Sequence, residues 1–197
     1  MKFILASSSP RRRELLASIG LDFEVMPSHV PEVHQAGEAP EEYVARLSRD
    51  KANALAQAHR ERWVIAADTT VHLGDQLLEK PADAQDAERM LATIAGQTHT
   101  VYTGVTVQNA VSDYCDTRVA ETEVRMLPLS PQEISWYVAS GEPLDKAGAY
   151  AAQGIGAVFI ESIHGSYTNV VGLPLATLFQ MLRRAGIDPL DSRHVTA

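Results

Sequence analysis

Very little in this 197-residue chain reads as a cross-link, a membrane anchor or a polyanion-binding surface. Cys115 is the single cysteine, so no intrachain disulfide, C-x-x-C pair or zinc-finger spacing is possible, and a lone thiol fits a reducing compartment. No stretch approaches the roughly 20 apolar residues that a membrane-spanning helix needs. The apolar run from Phe3 to Ala6 is cut off by Ser-Pro-Arg well short of a signal segment. The expectation is a cytoplasmic protein with no membrane partner. Positive charge is in deficit, 17 Lys and Arg against 25 Asp and Glu for a net charge of -8, which argues against a nucleic-acid polymer as partner because that needs spread-out positive potential. Any anion must be held locally. The seven histidines form no H-E-x-x-H and no i, i+4 pair, and neither a G-x-S-x-G elbow, a G-x-G-x-x-G fingerprint nor a P-loop occurs. Without repeats or a Pro/Gly/Ser-rich linker, the chain is expected to form a single domain over residues 1–197, with a loose tail after about residue 188.

What is present is an ordinary globular composition, 45% hydrophobic and 21% charged. "KFILAS" and "DFEVMPS" read as strands, and between them Ser9-Pro10 caps a helix that Gly20 stops. Pro40 opens a long helix through about His59, followed by "WVIAAD", an apolar strand expected to end abruptly on polar residues. A Gly-Asp turn between "VHL" and "LLEK" predicts a hairpin, and Asp83 caps a helix that Gly96 closes. "HTVYTGVTVQNA" and "CDTRVAETEVRML" alternate as paired antiparallel strands do. Ser130 to Glu133 forms a capping box, "AVFIES" is expected to be a strand, and a last helix runs from Pro174 to Ala185. The pattern predicts an α/β fold around a mixed sheet, with a cleft at strand ends.

Four places carry candidate chemistry. With about 100° of rotation per helical residue, Arg12 falls amid the face defined by Leu15, Leu16 and Ile19, Arg11 lies at its edge, and Arg13 points elsewhere. Two cations in a first turn, beside free N–H groups and the positive end of the helix dipole, suit an anion such as phosphate, with Ser7 and Ser9 adding hydroxyls. The alternative is an Arg12 that pairs with a surface carboxylate. Lys51 interrupts the stripe of Val44, Leu47 and Leu55, and so requires either a neighbouring carboxylate or a ligand anion. Asp68, carried on a rigid strand, could serve as a general base, a metal ligand or the cap of a turn. Gly148, Gly154 and Gly156 allow close backbone approach to a ligand or a strand, and Gln153 between them has an amide able to read a base edge. "GSYTNVVGLPL" has the look of a second close approach, and Lys80-Pro81 puts a further cation on a stiff corner.

Taken in order, "LASSSPRRRELL", "EEYVARLSRDKA", "AADTTV", "EKPADAQDAERML", "GQTHTVYTGV", "GEPLDKAGAYAAQGIGAVFI" and "GSYTNVVGLPL" resemble the Maf family, septum-formation-inhibitor-like nucleoside triphosphate pyrophosphatases. That resemblance implies a Maf/HAM1 (ITPase-like) α/β fold, in which an elongated mixed sheet with flanking helices forms two lobes around a nucleotide cleft. It also implies a homodimer as an assembly to look for. Arg12, Thr69 and Gln153 match the branch that acts on dTTP and UTP, whereas Ala66, Ser48 and Thr70 depart from the usual residues. The implied roles are Asp68 as catalytic base, with Ser7, Ser9, Arg11, Arg12, Lys51, Thr69, Lys80 and Gln153 binding the substrate. Glu32 and Asp68 would hold a divalent cation, Mg²⁺ or Mn²⁺. The expected reaction is water attack at the α-phosphate, giving a nucleoside monophosphate and pyrophosphate in a house-cleaning or cell-division role. Competing readings are a non-hydrolysing nucleotide-binding regulator of septum formation and a purine (ITP/XTP) house-cleaning pyrophosphatase.

Overall fold

The computed structural model describes residues 2–189, and the tail read as loose lies almost wholly outside them. Seven strands join one mixed sheet in the order β2-β1-β3-β5-β6-β7, with β4 on β3. They are β1 (Phe3–Leu5), β2 (Phe23–Val25), β3 (Val64–Leu73), β4 (Gln76–Leu78), β5 (Thr98–Asn109), β6 (Tyr114–Met126) and β7 (Ile160–His164). β1 runs parallel to β2 and to β3, whereas the β3–β4 and β6–β7 pairs are antiparallel. The mixed α/β architecture expected from the sequence is therefore present. Helices α1 (Pro10–Ser18), α2 (Pro40–Ala58), α3 (Ala84–Ile94), α4 (Pro131–Ala139), α5 (Tyr167–Val171) and α6 (Leu175–Arg184) complete it.

The capping chemistry behaves as the sequence predicts. Ser9, Asp83 and Ser130 each accept a backbone N–H from the first turn of their helix, and Gly20, Gly96 and Gly186 take positive φ just past a helix end. Three expectations need correction. β3 does not stop at Asp68. It continues through Thr69, Thr70 and Val71, because these β-branched residues suit the pleat and Val71–Leu73 pair with Leu78–Gln76 of β4. Asp68 is thus a mid-strand residue and marks no strand end. "AVFIES" becomes a strand only from Ile160, since Gly154–Phe159 coils into 3₁₀ turns whose N–H groups bond a side chain. Tyr167–Val171, read only as a close approach, is a short helix: buried Asn169 donates to the Val101 carbonyl and to Thr122 Oγ1, and Gly165 sits against Thr122.

The chain divides into two compact units. The first comprises residues 1–68, 103–120 and from 172 onward, and the second 69–102 and 121–171. In the first, Ala52 and Ala56 of α2 pack with Ile4, Ala6, Val64 and Ala66 of the sheet, small side chains that let the helix lie close. The approach is closest at Gly104, where a Cβ would collide with the Val44 carbonyl. In the second, Leu78, Leu91, Ile94, Met126 and Tyr137 form a fully buried core, in which a Leu→Ala truncation would cost about 2–5 kcal/mol.

Candidate active site

The first unit gathers most of the polar residues the sequence singles out. Asp68 is 6% exposed in the middle of β3, and Lys51, on the buried face of α2, is 5% exposed. Lys51 Nζ lies 2.6 Å from Asp68 Oδ1 and 2.6 Å from Glu32 Oε1, so one ammonium joins two carboxylates from separate segments. Of the two readings left open for Lys51, a carboxylate partner is what the folded chain supplies. Two of its three N–H donors are engaged there, and the third is left for another acceptor. Glu32 is half-exposed on a segment without regular structure, and its charge makes the Lys51 pair a three-membered network.

Arg12 turns inward, as its helical position requires. Its Nε donates to the Gly172 carbonyl at 2.8 Å and its Nη1 to Ser7 Oγ at 3.4 Å. Burial draws its pKa below the ordinary value, the charges of Asp68 and Glu32 oppose that, and Arg11 adds to it; the guanidinium remains a cation. The charges of Asp68, Glu32 and Arg11 all act on Arg12, which places them in its neighbourhood. Ser7 Oγ also accepts from the Ser9 N–H at 3.2 Å, and Ser9 Oγ accepts from the Arg12 N–H at 3.5 Å, so both serines shape the turn that opens α1. Arg13 is exposed.

Three predicted residues belong to the second unit: half-buried Thr69 follows Asp68 on β3, exposed Lys80 lies in the connection after β4, and half-buried Gln153 precedes the 3₁₀ turns. The glycines around Gln153 do make a close approach, chiefly to side chains and, at Gly156, also to the Ala151 carbonyl. A Cβ at Gly154 would strike Glu142, and one at Gly156 would strike Tyr137.

Sequence reasoning missed what holds the Glu32 segment. Arg46, on α2, clasps Glu38 with both prongs, Nε to Oε1 at 2.6 Å and Nη2 to Oε2 at 2.7 Å, while Nη2 also donates to the Val33 carbonyl at 3.0 Å. The hydrogen bond holds the Glu38 carboxyl below its usual pKa, and the same bond raises that of Arg46. The His34 ring packs edge-on against Tyr43 at 5.0 Å, and Arg46 lies over the same tyrosine. Tyr43, Arg46 and Lys51 all lie on α2, a clustering visible in sequence only once the loop's landing place is known.

Whether these groups suit a divalent cation is decided by their donors. Among the described residues no three His, Cys, Asp or Glu gather at one point. Glu32 and Asp68 nevertheless already converge on a single cation, the Lys51 ammonium. One or two carboxylates, completed by substrate phosphates and water, form the usual protein share of a Mg²⁺ site, so the pair fits that role.

A family model described as Maf-like protein matches residues 2–185. The chain belongs to the Maf family. Among similar members, a protein of Myxococcus xanthus named dTTP/UTP pyrophosphatase is 51% identical over 96% of this chain and 95% of its own length. One of Koribacter versatilis with the same name is 48% identical over 95% and 96%, and one of Geobacter sulfurreducens 49% identical over 94% and 97%. Among solved structures, the Staphylococcus aureus Ham1 protein aligns with a TM-score of 0.49 at 15% identity, covering 81% of this Maf chain and 80% of that one. No helix among the described residues of the Maf chain is long and apolar enough to cross a membrane.

Proposed function

We propose that this Maf protein hydrolyses dTTP and UTP to the nucleoside monophosphate and pyrophosphate. The observation that carries the reading is the buried carboxylate of Asp68 on a continuous strand, compensated by Lys51, in a chain about half identical over nearly its whole length to relatives named for that activity. Lys51 engages Oδ1, which leaves Oδ2 to accept from a water. In the proposed step that water attacks the α-phosphorus, Asp68 takes its proton, and the bond from the α-phosphorus to the bridging oxygen breaks, so that pyrophosphate leaves with the electron pair. Arg11, Arg12 and Lys80 offset phosphate charge, Arg being suited to paired contact with phosphate oxygens. The remaining N–H of Lys51 is a donor to the same group. Ser7 and Ser9 set the turn from which the two arginines project. Glu32 and Asp68 would hold Mg²⁺ or Mn²⁺ together with phosphate oxygens. When bound, that cation supplies charge neutralisation on the phosphates.

Thr69 and Gln153 take the pyrimidine edge in this reading. Gln153 is suited to it, since its amide can donate and accept together and enters no hydrogen bond among the described residues. The reading includes a cytoplasmic setting and a homodimer. Its test is a comparison of wild type with Asp68→Asn, measuring pyrophosphate and monophosphate separately over a nucleotide panel with and without Mg²⁺ and Mn²⁺. Loss of the base should lower kcat by about 10²–10⁴ with nucleotide binding retained. Near-wild-type release by the variant overturns the assignment of Asp68. Preference for ITP or XTP over dTTP and UTP overturns the substrate class, and binding without turnover makes the protein a nucleotide-binding regulator instead.

A further inference from the structure

The segment that carries Gln153 has no ladder of its own, yet its backbone is tied on both sides of that residue to one pair of side chains. Tyr137, fully buried on α4 with its ring edge-on to Phe159 at 5.3 Å, accepts the Ala151 N–H at 3.0 Å. Its hydroxyl donates to Glu142 Oε2 at 2.7 Å. Glu142 in turn accepts the Ile155 N–H through Oε1 at 3.0 Å and the Gly156 N–H through Oε2 at 2.8 Å. Three amides at 151, 155 and 156, flanking Gln153, therefore end on a single phenol–carboxylate pair. Space enforces the same arrangement. Side chains at 154 and 156 are excluded by Glu142 and by Tyr137, and at 156 also by the Ala151 carbonyl 2.7 Å from where a Cβ would stand. Lys146 steadies the Glu142 backbone by donating to its carbonyl at 2.6 Å.

An amide that reads a base edge discriminates only if its donor and acceptor are held in the right places. A misplacement of about 1 Å can cost two orders of magnitude in a positioned group. The Gln153 side chain has no hydrogen-bond partner among the described residues, so its aim is set by its backbone, and its backbone is set by these bonds. We infer that Tyr137 and Glu142 are specificity-determining positioning residues, a core-anchored brace that fixes the turn presenting Gln153 to a pyrimidine. The inference rests on the proposed reading of Gln153 as a base-contacting residue and names what gives that residue its aim.

The experiment compares wild type with Tyr137→Phe, Glu142→Gln and Gln153→Ala, all full-length and all checked for thermal midpoint. For each, kcat and KM are measured with UTP and with CTP, which differ in the base edge, and inhibition is measured with inorganic pyrophosphate, which has no base. The brace predicts that Tyr137→Phe and Glu142→Gln lower the UTP/CTP ratio of kcat/KM by about tenfold, roughly the worth of one well-placed hydrogen bond to substrate. It predicts that the loss falls mainly on KM for UTP and that the pyrophosphate inhibition constant stays within about twofold of wild type. A purely structural role would instead depress both nucleotides and pyrophosphate together. If Gln153→Ala lowers the ratio while both brace variants preserve it, the inference falls and the reading of Gln153 stands. If Gln153→Ala itself preserves the ratio, the base-contact reading fails and takes the brace with it.

Discussion

The segment around Glu32 and the segment around Gln153 both lack a strand or α-helix, and they are held in opposite ways. Near Glu32 the fastening is made by charged side chains of α2: Arg46 to Glu38 and to the Val33 carbonyl, and Lys51 to Glu32. Near Gln153 it runs from backbone N–H groups to one carboxylate and one phenol. The difference appears in the glycines. Gly37 has open space where its Cβ would be, whereas Gly154 and Gly156 abut the groups that hold them. Charge pairing at arm's length leaves room for side chains, Gly37 being called for only by its positive φ, while direct capture of the backbone demands that side chains be absent.

The contrast breaks most visibly at Lys51. Lys51→Met leaves Asp68 buried without its counter-charge, so a loss of about 3–5 kcal/mol is expected in denaturant unfolding. A loss under about 1 kcal/mol would mean that charge is not what holds the first unit's polar cluster. The second unit is expected to answer to pH through a neutral group. Desolvation lowers the pKa of buried His99, which contacts the Tyr150 hydroxyl at 2.8 Å, from 6.5 to about 4. The unfolded chain therefore binds more protons than the folded one between those values. The stability this residue contributes is whole above about 6.5 and is lost as pH falls toward 4, by about 3 kcal/mol in total. His99→Gln should flatten that part of the stability profile; an unchanged slope would assign it to other groups. Next in size is Gly156→Ala, for which about 1–3 kcal/mol of overpacking is expected, reduced in a Tyr137→Phe background where the clashing oxygen is gone. Equal costs in both backgrounds would deny that contact. The smallest effect is expected from Arg46→Met, which frees the Glu32 segment and should raise the Mn²⁺ concentration for half-maximal activity by about tenfold. A Mn²⁺ titration unmoved by the substitution would show that Glu32 is positioned by Lys51 alone.

Much of the frame is legible in the sequence because it is local chemistry. Ser9, Asp83 and Ser130 cap their helices, and Gly20, Gly96 and Gly186 end theirs, each within a few residues of the element it controls. The inward turn of Arg12 and the stripe containing Lys51 follow from helical period alone. What the sequence conceals is partnership at a distance. Lys51 visibly needs an acceptor, yet nothing along the chain says that it takes two, from 19 residues before and 17 after. The polarity of Thr69 and Thr70 predicts a strand end at Asp68. Their branched β-carbons, and the pairing of β4 just beyond them, count for more. Gly104 inside a β-branched run looks like a flaw in a strand until the Val44 carbonyl is seen against it.

The unbroken course of β3 has a consequence for how new specificities could arise. A carboxylate carried within a continuous strand has two side-chain torsions and no hinge, so the residue proposed to handle water moves little when a distant turn is edited. The turn at 151–156 can be recut, one amide contact at a time, while that anchorage stays untouched. On the proposed assignments, selectivity is therefore the softer variable and chemistry the stiffer one.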